Sequence, residues 1–149
     1  MSIAHKVHQL LRQKNKKLAL AESCSGGAIA ARLVAIPDAS QFLLGSIVAY
    51  SPHWKEQFLQ VKGESLRQFG PESAEVAEEM AEQLLAHTAA DYALAVSGFA
   101  SPPGIVFISV AERSYTPITT RHEFVGTRSE VIHAIVEAAL IVLLERISA

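Results

Sequence analysis

The chain reads as an α/β protein: a three-layer α/β/α sandwich on a mixed sheet, folded as a single domain. Three features predict this. Short apolar runs of strand length alternate with stretches whose apolar residues recur at helical spacing. One such run, Leu18 to Ala21, passes through Glu22-Ser23-Cys24-Ser25-Gly26-Gly27 straight into a helical pattern, the strand–turn–helix unit of α/β folds. The last third ends in a long apolar stripe that a sheet face would cover. With 149 residues, half of them hydrophobic and 19% charged, the chain is long enough to bury a real core and lies far from disordered compositions.

The elements follow in order. Ile3, Val7, Leu10 and Leu11 behind Ser2, a good N-cap, predict an amphipathic first helix that closes in Arg12, Lys14, Lys16 and Lys17. Leu18 to Ala21 is a buried strand, and a small-residue helix runs from Gly26 to about Ala35, ended by Pro37-Asp38-Ala39-Ser40. Ser46 to Tyr50 is the second strand and His53 to Leu59 a short helix, with turns at Lys62-Gly63-Glu64-Ser65 and Gly70-Pro71-Glu72-Ser73. Ser73 caps the clearest helix, whose stripe is Val76, Ala77, Met80, Ala81, Leu84 and Leu85. Its acidic face, Glu75, Glu78, Glu79 and Glu82, reads as a solvated surface. Tyr92 to Ser97 is a third strand. Ile105 to Ala111, apolar throughout, is a fourth and is expected to be central. Thr119 to Val125 is a more exposed fifth. Thr127-Arg128-Ser129-Glu130 has the spacing of a capping box and opens the final helix.

The totals exclude several function classes. A net charge of -2 without a basic block argues against nucleic-acid binding. No apolar run approaches the roughly 20 residues of a membrane span, and Met1 to Lys6 lacks a signal-peptide core. A cytoplasmic protein without a membrane partner is therefore expected. A single cysteine allows no internal disulfide. His5 and His8 lie three apart on the first helix, but with no further ligand nearby a solvated face is the plainer reading.

Three strand ends carry small polar residues: Glu22 to Gly27, Tyr50-Ser51 and Ser97-Gly98. That is the pattern of a small-molecule site at the carboxyl edge of a sheet. Gly26 and Gly27 would let a ligand approach the backbone, with their N–H groups facing an oxyanion or a phosphate; equally, the small residues would serve only tight strand–helix packing. A serine nucleophile needs a base. Lys55, beside Trp54 and Phe58, would become one if burial lowered its pKa; an exposed lysine is the plainer reading. Ser51, four residues before Lys55, is a rival nucleophile to Ser23. Cys24, at a helix N-terminus, is another, although no histidine is placed beside it and a packing role suits it better.

Ala21-Glu22-Ser23-Cys24-Ser25-Gly26-Gly27, Tyr50-Ser51 with Lys55, Gly70 with Ser73 leading into Met80-Ala81, and Ser97-Gly98 together resemble the CinA C-terminal domain family, which includes stand-alone nicotinamide-nucleotide amidohydrolases. The resemblance implies an α/β/α domain, often a homodimer, that deamidates nicotinamide mononucleotide to nicotinate mononucleotide and ammonia in pyridine-nucleotide salvage. It implies no metal or organic cofactor. By position it makes Ser23 the nucleophile and Lys55 its base, with Tyr50 beside them and Ser23 Oγ within about 3 Å of the lysine amine when nucleotide is bound. Ser25, Gly26 and Gly27 would cradle the substrate with Ser97 and Gly98, and Arg128 would meet its phosphate. The chain departs from the family where a longer glycine-rich loop is compressed to Gly98-Phe99-Ala100-Ser101-Pro102-Pro103-Gly104. Asp38-Ala39 stands for Gly-Ser, and Pro52 for asparagine. The family's molybdopterin-binding-like N-terminal domain has no counterpart in this sequence. The short loop keeps a second reading open, a non-catalytic nucleotide-binding homologue, and a third, an amidase or esterase for a phosphate-free substrate.

Overall fold

Side-chain size sorts itself across the sheet. Along β1 (Leu18–Glu22) and β3 (Tyr92–Gly98), Leu18, Leu20, Leu94 and Val96 point to one face, and Ala19, Ala21, Ala93 and Ala95 to the other, as strand alternation requires. The large face meets α1 (Ile3–Lys14), α2 (Ala28–Val34) and α6 (Arg128–Ser148) in a core of 26 buried residues; the alanine face meets α3 (Pro52–Leu59) and α5 (Ala74–Ala86) in one of 14. Each fully buried Leu on the large face contributes about 1.5–3 kcal/mol, so that side holds most of the apolar stabilisation. The alanine face instead lets its helices approach closely.

The computed structural model describes residues 1–149. The five strands, completed by β2 (Leu43–Val48), β4 (Ile105–Glu112) and β5 (Ile118–Glu123), form one sheet in the order β2-β1-β3-β4-β5. β1 runs parallel to both β2 and β3, with Ala21 opposite Ile47 and Ala95. β3, β4 and β5 are antiparallel. The three-layer α/β/α architecture with a mixed sheet is thus present. This topology sends the carboxyl ends of β1, β2 and β3, the start of β4 and the end of β5 to one edge of the sheet.

Several boundaries differ from the sequence reading. β2 begins three residues early and ends at Val48, because Leu43 already pairs with Leu18 across an irregular step in the ladder. β4 lies next to the edge strand β5 rather than at the centre, which β3 occupies; its apolar run reflects helices on one face and α5 on the other. Where a turn was expected after Lys62, α4 (Gly63–Phe69) forms. It has no side-chain cap and buries no residue completely, so neither cap nor stripe announced it. The capping box of α6 is made as spaced: Glu130 N donates to Thr127 Oγ1 at 3.2 Å, and Thr127 N to Glu130 Oε1 at 2.9 Å. It fixes Arg128 as the first residue of the helix.

Candidate active site at the carboxyl edge of the sheet

Ser23 follows the last residue of β1 and opens the turn to α2. Gly26 and Gly27 take φ of +60° and +95° in succession, a left-handed path that a residue with a Cβ adopts only under strain. The turn then places Glu22, fully buried, beneath the start of α2. Its carboxylate accepts from Ile29 N at 2.9 Å, Ala30 N at 3.2 Å, Ser25 Oγ at 2.8 Å and Ser46 Oγ at 2.9 Å. The helix N-terminus, open to a substrate anion on the sequence reading, is therefore already filled by the chain's own carboxylate. Gly26 N is engaged as well, by Ser23 O at 3.0 Å. The motif alone does not assign this role to Glu22; the signal for it in the sequence is an acid just ahead of a small-residue helix, three before a serine. Replacing it with Gln sets an amide N–H₂ against N–H and O–H donors, and is expected to cost about 2–3 kcal/mol in urea unfolding.

Lys55 is fully buried, not exposed. Ser51 caps α3, accepting from Trp54 N at 3.2 Å, and Pro52 occupies the first turn. The helix then turns Lys55 inward under the Gly70–Ser73 segment. Its amine donates to Pro71 O at 3.1 Å and to Ser97 Oγ at 2.9 Å, while Ser97 Oγ donates to Pro71 O at 2.7 Å. The partner of the amine is thus Ser97, also fully buried, and Ser51 is an exposed cap. The Ser23 hydroxyl is not among the partners of Lys55. Burial pulls the lysine below its ordinary range, against the opposing pull of Glu72 and Cys24. No carboxylate forms an ion pair with it. Burial also pushes the Cys24 thiol up to about 11, despite nearby Lys55 and Arg128, so Cys24 stays protonated at neutral pH and packs as a small core residue.

A pocket of about 140 Å3 opens above this group. Ser23, Tyr50, Gly98 and Arg128 line it, as do Glu72, Phe99 and Ser101, which the sequence reading left without a role. Lys55 and Ser97 lie beneath it; Ser25, Gly26 and Gly27 are not in its wall. Arg128 spans the mouth, donating to Tyr50 Oη and to Ser101 Oγ, both at 2.7 Å. At Gly98 an added Cβ would come within 2.3 Å of Ile105 O, so glycine there permits the close turn from β3 into the loop. A larger groove of about 480 Å3 lies along the acidic face of α5 and, apart from Lys62 at one end, offers only carboxylates, an amide and an alanine. His5 is exposed and hydrogen-bonds Ser2, but His8, expected on a solvated face, is buried edge-on against Phe42 with its Nε2 3.0 Å from Pro37 O. No group of three His, Cys, Asp or Glu side chains is placed to hold a metal ion.

Comparison with known proteins follows the same outline. The family model of the CinA C-terminal domain matches residues 1–147. A CinA-like protein of Thermotoga neapolitana is 38% identical over 133 residues, 84% of this chain and 32% of that protein. One of Endomicrobium trichonymphae is 36% identical over 156 residues, 99% of this chain and 36% of that protein. The chain thus spans about a third of the length of these curated relatives. Among solved structures, a CinA superfamily protein of Klebsiella pneumoniae superposes with a TM-score of 0.94 at 30% identity, covering 98% of this chain and 96% of that one. The competence/damage inducible protein CihA of Agrobacterium tumefaciens gives 0.93 at 28%, covering 99% and 94%.

Proposed function

Because this chain belongs to the CinA C-terminal domain family, we propose that it is an amidohydrolase that converts nicotinamide mononucleotide to nicotinate mononucleotide and ammonia, with Ser23 as nucleophile and Lys55 as general base. The observation that carries the reading is the Lys55 amine, fully buried without an ion pair beside a pocket that Ser23 lines. A charge so placed is costly, and a lysine desolvated in this way is suited to work as a neutral base.

Hydrogen-bond accounting supports that role. A neutral amine has two N–H donors, and Pro71 O and Ser97 Oγ take both. Ser97 spends its own proton on Pro71 O, so it only accepts from the lysine. The amine lone pair is then left for the Ser23 proton, taken directly or through one water once substrate closes the gap. Ser23 Oγ attacks the carboxamide carbon, Lys55 passes the proton to the departing ammonia, and water, deprotonated by the same amine, releases nicotinate mononucleotide from the acyl-serine. The turn offers an oxyanion donor in Cys24 N–H, which follows the nucleophile and has no backbone carbonyl as acceptor. Tyr50 steadies Arg128 at the mouth, where the guanidinium would meet the phosphate.

The reading supposes a cytoplasmic homodimer that needs no metal or organic cofactor. No helix is long and apolar enough to cross a membrane. The edge strand β2 exposes Leu44 and Val48, beside Tyr50 and Trp54, without a charge between Leu43 and Pro52, which suits a second copy more than open water. Incubating purified protein with the nucleotide and measuring ammonia tests the activity. Binding without release would favour the non-catalytic homologue, a reading that the short Gly98–Gly104 loop keeps alive. In the same assay Arg128→Gln is expected to raise KM about tenfold for the nucleotide, leaving the phosphate-free nucleoside unchanged.

A further inference from the structure

The pocket wall contains two charged side chains, and they do not pair with each other. Arg128 is held by Tyr50 and Ser101. Glu72, on the wall formed by the segment ahead of α5, has no hydrogen bond or ion pair with any residue. Its place just before the Ser73 cap suits a negative charge energetically, but does not require a carboxylate in the pocket wall. Phe99, 42% exposed, presents an aromatic ring to the same space. The pocket thus offers a held cation at its mouth, an unpaired anion and an aromatic surface. Its volume of about 140 Å3 is well below the roughly 300–1,000 Å3 of sites that enclose a drug-sized ligand, which leaves room for one ring and its carboxamide while an attached phosphate stays near the mouth.

On the reading that a pyridine-nucleotide carboxamide is the substrate, we propose that Glu72 and Phe99 form a subsite for a cationic ring, selecting the positively charged pyridinium over neutral rings of the same shape. The substrate class is then a zwitterion: a ring cation facing Glu72 and Phe99, and a phosphate facing Arg128. Carboxylate and aromatic face both attract a flat cation; a neutral ring keeps only the stacking on Phe99 and loses the attraction to Glu72. The reduced dihydropyridine nucleotide, which carries no ring charge, would be rejected by the same wall.

Binding tests this without interference from ring reactivity. Glu72 also acts on Lys55, so a rate change in a Glu72 variant would mix two effects; a ratio of affinities for two ligands on one protein does not. Ser23→Ala protein is titrated calorimetrically with nicotinamide mononucleotide and with the benzamide C-nucleotide, in which carbon replaces the ring nitrogen and the charge is gone. The expected result is about tenfold tighter binding of the pyridinium form. Adding Glu72→Gln should bring the two affinities within about twofold by weakening only the cationic ligand. Equal affinities in the parent, or a preference that survives Glu72→Gln, overturn the subsite. If that happens while wild-type protein releases ammonia, the subsite alone fails; if neither ligand binds and no ammonia appears, the substrate reading falls and takes the subsite with it.

Discussion

Ser23→Ala is expected to lower ammonia release from nicotinamide mononucleotide at least about a thousandfold, with the urea unfolding midpoint nearly unchanged. The two halves have separate causes. Removing the nucleophile of a covalent mechanism costs the whole of its catalysis, a loss of about 10³ or more. Removing this hydroxyl costs little stability, because Ser23 Oγ makes no hydrogen bond within the chain, in contrast to Ser25, which is tied to Glu22. Parallel measurement of turnover and unfolding checks both. A Ser23→Ala protein that retained activity would assign the nucleophile to another hydroxyl lining the pocket, since the Cys24 thiol is held protonated by its burial.

Lys55→Met should abolish activity to a similar degree and, at neutral pH, leave the fold as stable as the wild type or more so. The native amine titrates below the ordinary lysine value, whereas the unfolded one titrates at it. Between those two values the unfolded chain binds more protons than the native chain, so wild-type stability rises with pH, by at most about 1.4 kcal/mol per pH unit. Below the native pKa the full cost of burying the ammonium is present; above the unfolded value it has vanished. The methionine variant lacks this term, so its advantage should be largest on the acid side and fade as pH rises. Pro71 O, still bonded by Ser97, is not orphaned by the change. Urea unfolding at several pH values measures the trend, and an advantage that grew with pH would contradict it. Wild-type kcat/KM should climb with pH to a plateau reached below the ordinary lysine range, as deprotonation frees the base.

The architecture was legible because periodicity and caps carried it. The α5 stripe is buried residue for residue, and Ser2, Ser73 and Thr127 all cap as their spacing predicts. What the chain hides is depth. Lys55 lies on an eight-residue helix with exposed Trp54 and Phe58 beside it, so nothing local distinguishes it from a solvated lysine. Its burial is supplied by Pro71 and Ser97, sixteen and forty-two residues away. The opposite correction applies at the Ser23 turn. Gly26 and Gly27 are required by a left-handed path, and while Glu22 takes the N–H groups of Ile29 and Ala30 and Ser23 O takes that of Gly26, the Gly27 N–H has no acceptor. A motif names which residues meet; the donors left over emerge only when every local hydrogen bond has been assigned. Glu72 went unread for the same reason, since an acid in a turn becomes informative only when it is seen to lack a partner.

The alanine face of the sheet has a bearing on chemistry as well as packing. α5 and the end of α3 rest on Ala19, Ala21, Ala93 and Ala95, so the sheet contributes no more than a methyl group at each of these contacts. Pro71, just ahead of α5, and Lys55 on α3 ride on it, while Ser97 belongs to the sheet itself. Larger side chains there would wedge the layer outward, lengthening the reach from amine to Ser97 and admitting water around the lysine. The small side chains on this face thus act as a spacer beneath the helical layer from which the amine reaches Ser97.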